Sequence, residues 1–182
     1  MKNEMKKVLL FAAVLLAGNS ALAQTPQEDF KRDITLSASN YVAYRGPQKQ
    51  LTPAPKGYKP FYLSHYGRHG SRYMIGKKAY DVPYFSLLKA KQEGKLTAKG
   101  EETLEKVKLI RDDAKGRDGE LTPLGAIQHQ GITKRMMERF PEIFAGKTNI
   151  EARSTVVIRC ILSMENGLQQ MLRMNPKLHI FH

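Results

Sequence analysis

The chain has 182 residues, with 30 lysines and arginines against 17 aspartates and glutamates, a formal net charge of +13. One cysteine excludes an internal disulfide framework, and the length leaves room for a single domain once a leader is set aside. So basic a chain points to anionic ligands: phosphorylated metabolites, nucleic acid or a membrane surface.

Residues 1–23 have the three parts of a secretory signal peptide. Lys2, Lys6 and Lys7 form the positive end, an apolar stretch follows, and Ala21-Leu22-Ala23 fits a cleavage site. The apolar stretch is roughly ten residues, too short for a bilayer span of ~20. No later segment is apolar enough to be a membrane span. The expected product is therefore exported, periplasmic or secreted. Residues 24–59 are polar and rich in turn formers, with Pro47, Pro53, Pro55 and Gly57 near their end, and read as a lead-in arm without a packed helix.

The first predicted strand covers 60–66. Phe61, Leu63 and His65 alternate with Tyr62, Ser64 and Tyr66, so both faces carry apolar bulk, as in an interior strand covered by helices. On that reading His65 packs in the core. Helical spacing follows at 84–93 and again at 99–115, where Leu104, Val107 and Ile110 share a face. In "GELTPLGAIQHQGITKRMMERFPEIF", Thr122 suits an N-cap and Pro123 the first helical position. Leu124, Ile127, Met136 and Phe140 mark the predicted inner face, and Pro141 ends the helix. A second strand is predicted at 149–154, then a helix over 156–173 with Ile161, Met164, Leu168, Met171 and Leu172 on one side. Asn175-Pro176 stops it, and "KLHIFH" offers a third strand. Strands alternating with helices indicate an α/β sheet with helices on both faces. Cys160 falls in the last helix, where an inert packed thiol is expected.

Ligands of open α/β sheets bind at the carboxyl ends of the strands. "RHGSR", residues 68–72, follows the first predicted strand, and Arg153 ends the second. Gly67 and Gly70 allow a tight loop with close backbone approach to an anion. His69 between two arginines is a candidate nucleophile toward phosphorus, since neighbouring guanidinium groups disfavour its protonated form. Arg68, Arg72 and Arg153 are candidates to hold the phosphoryl oxygens. Other readings compete at each position. The loop could be a solvated basic turn, Arg153 could pair with Glu151 on the same strand face, and His129 could be an ordinary helix-surface histidine. Arg159 and Ser163 suit the anchoring of a helix start or a supporting place behind the phosphate-binding residues. No His/Asp/Glu cluster has metal-ligand spacing, and neither a cofactor nor a nucleic-acid motif is indicated.

"RHGSR" resembles the RHGxR signature of histidine phosphatases in the acid phosphatase and phytase branch. "GELTPLGAIQHQ" is similar to that branch's LTxLGxxQH helix start, and "ARSTVVIRCILS" to its RSTxxxRxxxS segment. The aromatic segment before the signature, with Tyr73 after it, looks closest to bacterial multiple inositol polyphosphate phosphatases. The resemblance covers residues 58–176 and implies a nucleophilic His69, a phosphate clamp of Arg68, Arg72 and Arg153, and His129 near the substrate. It implies a partial phosphoglycerate-mutase-like sheet with flanking helices over 60–182, without the helical cap and later strands of the family. Family members are more than twice this long. Their later half carries the proton donor, a histidine followed by Asp or by Ala-Glu, and none of the five histidines here is so followed. The expected function is hydrolysis of phosphomonoesters, small multiply phosphorylated molecules such as inositol polyphosphates, by the front part of such an enzyme. The alternative is a non-catalytic basic module that binds phosphate groups.

Overall fold

The computed structural model describes residues 26–47, 49 and 51–182. The signal peptide expected at 1–23 lies outside them. The chain divides into two compact units, Met1–Ala43 and Tyr44–His182.

In the first unit, α1 (Pro26–Arg32) starts on a proline, whose missing N–H costs nothing at a helix start. Its charges oppose the helix dipole, with Glu28 and Asp29 in the first turn and Lys31 and Arg32 in the last. A 3-10 helix (Ile34–Tyr41) follows, capped by Asp33, whose carboxylate accepts from the Thr35 N–H at 3.0 Å and the Thr35 hydroxyl at 2.6 Å. Residues 24–59 therefore include two short helical elements. A local cap and favourable end charges sustain these short elements, and α1 buries no residue.

The second unit holds α2 (Lys78–Gln92), α3 (Ala98–Asp113), α4 (Pro123–Arg139), β1 (Asn149–Glu151), α5 (Ile158–Met174) and β2 (His179–Phe181). Helices α2 and α3 form an antiparallel hairpin locked by Arg111. Its Nε donates to Asp81 at 2.6 Å, and its guanidinium lies 4.8 Å from the centre of the Tyr84 ring. Thr97 caps α3 and Thr122 caps α4, each accepting the N–H three residues on.

Strands β1 and β2 pair in parallel, Ile150 opposite Ile180, with α5 as the crossover between them. Around this pair sits the core. Met137 of α4, Phe144 and Leu178 are buried, and Leu63, Met136, Phe140, Ile143, Ile150, Met171 and Ile180 pack against them. The core thus fastens the carboxyl end of α4 to the β1–α5–β2 unit.

Three expectations are corrected. Residues 60–66 form no strand: no backbone hydrogen bond reaches them among the described residues, and the two strands present pair with each other. A strand exists through its ladder, and without one only Leu63 joins the core while Phe61 is 94% exposed and His65 faces solvent. The sheet is accordingly two short strands in a mainly helical body. The inner face of α4 matches the predicted one at Met136 and Phe140, which pack on the core, and departs from it in the first half of the helix. Gly125, Thr133 and Met137 are buried, whereas Leu124 and Ile127 are exposed. The reason is close packing on α5: a Cβ added to Gly167 would meet the Thr133 Oγ1 at 3.0 Å, so small residues define the contact. No described helix is long and apolar enough to cross a membrane.

Candidate active site

The loop 68–74 is tied into the fold at three places. Its second half lies antiparallel to the residues that lead into α4. Tyr73 N–H donates to the Glu120 carbonyl at 2.9 Å, Gly119 N–H to the Met74 carbonyl at 3.2 Å, and Thr122 N–H to the Ser71 carbonyl at 2.9 Å. The Thr122 hydroxyl donates to the same Ser71 carbonyl at 2.9 Å while accepting the Gly125 N–H that caps α4. One side chain thus starts the helix and pins the loop to it. Beyond the loop, the Tyr73 hydroxyl donates to Asp113 at 2.8 Å, with the Arg117 guanidinium 4.3 Å from the ring centre. That bond to a carboxylate, helped by partial burial, holds the phenol above its ordinary value near 10.0.

The second tie is steric. A Cβ on Gly70 would fall onto the Gly125 carbonyl, and one on Gly125 would fall onto the Ser71 carbonyl. Only glycines let the loop and the first turn of α4 touch backbone to backbone. The third tie reaches α5. Gly70 N–H donates at 3.0 Å to the hydroxyl of Ser163, which donates in turn to the Arg159 carbonyl at 2.7 Å. Ser163 is 2% exposed, so this bond is sheltered from water.

These ties set the chemistry of His69. Its Nδ1 lies 2.8 Å from the Gly70 carbonyl oxygen, which can only accept. In the neutral ring Nδ1 therefore carries the proton, and the lone pair sits on Nε2, as a nucleophile requires. His129, on the first half of α4, places its Nε2 at 3.1 Å from the Arg68 carbonyl. Burial lowers the His129 imidazole below its ordinary value near 6.5. Bonding to Arg68 opposes the shift, and the His65 and His69 rings add to it.

The arginines differ in their surroundings. Arg68 is exposed. Arg72 donates from Nη1 to the Tyr73 carbonyl at 2.8 Å. Arg153 stands two residues beyond β1 with its side chain 86% exposed, in an ion pair with Glu151. No hydrogen bond joins it to the loop among the described residues. Arg159, in the first turn of α5, is partly buried, and its guanidinium lies against Gly119. Among the described residues, three buried side-chain polar atoms lack a partner: Nε of Arg72, Nε of Arg159 and Nε2 of Gln128. All three are donors; Arg72 lies in the loop and Gln128 bonds to it. Gln128 also accepts the Ser71 N–H at 2.8 Å through Oε1.

The structure therefore sets His129 beside His69 and the Arg68 carbonyl, turns Arg72 onto the Tyr73 carbonyl of the same loop, keeps Arg68 exposed, and leaves Arg153 on the Glu151 carboxylate. The sequence reading gave Gln128 no role, and Arg159 and Ser163 an anchoring or supporting one. A signal was present: Gly125, Gln128 and His129 fall at i, i+3 and i+4, one face of a helix.

No family model and no curated relative matches the chain. Among solved structures it is similar to the crystal structure of Bifidobacterium longum multiple inositol polyphosphate phosphatase in complex with inositol hexasulfate, at 25% sequence identity and a TM-score of 0.54. The likeness covers 74% of this chain and 29% of that one, so the chain spans less than a third of the length of that phosphatase. The described fold is phosphatase-like over that shared part.

Proposed function

We propose that this chain carries the nucleophilic part of an exported histidine phosphatase that acts on small, multiply phosphorylated molecules such as inositol polyphosphates. The observation that carries the reading is the setting of His69: its Nδ1 faces the Gly70 carbonyl, so the neutral ring keeps its lone pair on Nε2, in a loop that also carries Arg68 and Arg72.

In the proposed reaction the His69 Nε2 lone pair forms a bond to phosphorus as the bond to the ester oxygen breaks. Arg68, Arg72 and Arg159 hold the non-bridging oxygens, with Arg153 able to join them only by leaving Glu151. The neutral His129 ring adds no competing charge. Water then attacks the phosphohistidine and releases phosphate, restoring Nε2. A leaving alkoxide needs a proton from an acid, whereas the phenolate of an activated aryl phosphate departs without one. The likeness to the Bifidobacterium enzyme supports the choice of substrate class, as does the strong positive charge.

The test is labelling with dinitrophenyl phosphate, quenched in alkali. An acid-labile, alkali-stable phosphoenzyme is expected in the parent and none in His69→Ala. A parent that binds inositol hexakisphosphate without ever being labelled would instead identify a phosphate-binding module.

A further inference from the structure

The peptide group between Gly70 and Ser71 is gripped on both sides. Its carbonyl oxygen accepts from His69 Nδ1 at 2.8 Å, and its N–H donates to the Gln128 Oε1 at 2.8 Å. These two groups share one rigid plane, so whatever fixes the N–H fixes the direction of the carbonyl. Ser71 N–H can only donate, which identifies the facing side-chain atom of Gln128 as its carbonyl oxygen. Gln128 projects from α4, a regular helix capped at Thr122 and packed on α5, so the acceptor is held by a stiff element. The next carbonyl along, that of Ser71, is held separately by Thr122.

We infer that Gln128 is a positioning residue for His69: by anchoring the Gly70–Ser71 peptide plane it holds the proton of the neutral imidazole on Nδ1 and keeps the lone pair on Nε2. The inference rests on the proposed function only for its catalytic consequence. Hydrogen bonding at the N–H also strengthens the carbonyl at the other end of the same amide as an acceptor, because bonds in a chain polarise one another. Ser163 grips the preceding peptide through the Gly70 N–H and leaves the Gly70–Ser71 plane to Gln128.

The test follows the tautomer directly. In the full chain with 15N-labelled histidine, the His69 signals are identified by their loss in His69→Ala. The parent is expected to show a protonated Nδ1 and a bare Nε2. Gln128→Ala removes the acceptor and is expected to move His69 toward the Nε2-protonated form. Labelling by dinitrophenyl phosphate should slow by about 10-fold to 100-fold, the scale on which outer partners of an oriented histidine matter. Gln128→Glu keeps an acceptor oxygen in the same place and should restore the Nδ1 tautomer. Should Gln128→Ala fail to fold, Gln128→Met fills a similar volume without an acceptor and is read in its place. An unchanged His69 tautomer in a folded variant lacking the acceptor overturns the inference. A parent that is never labelled defeats the proposed function, while a tautomer change in Gln128→Ala would still support the role of Gln128.

Discussion

Gly70 and Gly125, one in the signature loop and one in the first turn of α4, meet with no space for a side chain on either. Two effects of opposite sign compete at Gly125. Helix propensity favours alanine over glycine by roughly 1 kcal/mol. The added methyl, however, would lie on the Ser71 carbonyl and 2.9 Å from the Ser71 nitrogen, and backbone cannot swing aside as a side chain can. Sterics should win, since overpacking costs ~1–3 kcal/mol or more. Gly125→Ala is expected to lower the urea midpoint. Gly131→Ala in the same helix meets only the flexible end of Arg135, at 3.3 Å, and should raise it. Equal midpoints for the two variants would refute the close approach.

A second prediction concerns acid. Burial lowers the His129 imidazole in the folded state, so between its depressed value and the ordinary 6.5 the unfolded chain binds more protons. Stability should therefore be unaffected by His129 above pH 6.5 and should decline as the pH falls below it. His129→Gln retains an N–H able to reach the Arg68 carbonyl but does not titrate. Thermal melts across this range should show a shallower acid limb in His129→Gln than in the parent, and superimposable limbs would contradict the burial effect.

The third prediction separates two arginines. Arg159→Ala should slow labelling by dinitrophenyl phosphate by roughly 10²–10³, as expected for one preorganised donor to a charged transition state. Arg153→Ala should have a smaller effect, because that guanidinium is exposed and paired with Glu151. Arg159→Lys should recover little, since a point charge does not reproduce a planar fork. If Arg153→Ala slows the reaction as much as Arg159→Ala, Arg153 leaves Glu151 to hold the phosphoryl group.

What the sequence made legible follows the range of the interactions involved. Thr122 and Pro123 announce the start of α4 because capping is a local matter, settled within four residues, and α3 and α5 begin within two residues of their predicted starts. The apolar alternation at 60–66 misled because it reports which side chains could be covered, while a strand also needs a neighbour to bond. Leu124 and Ile127 misled for a related reason. Their spacing marks an apolar stripe, but which stripe faces α5 is decided by Thr133 and Gly167, small residues that hydrophobic periodicity does not weigh. At the site, residue types in "RHGSR" suggested the nucleophile. The bonds of Gln128 and Ser163 to the loop were not legible because they span 57 and 93 residues.

That span has a consequence for the order of assembly. Helix α4, β1, α5 and β2 are consecutive and can collapse onto Met137, Phe144 and Leu178 through short closures. The bond from Gly70 to Ser163 must close 93 residues of chain, and the entropy of so long a closure is recovered only after both ends have surfaces to join. The signature loop should then dock last on a preformed α4–α5 platform. In native-state hydrogen exchange, the amides of Gly70 and Ser71 would open by a partial excursion that leaves the platform intact.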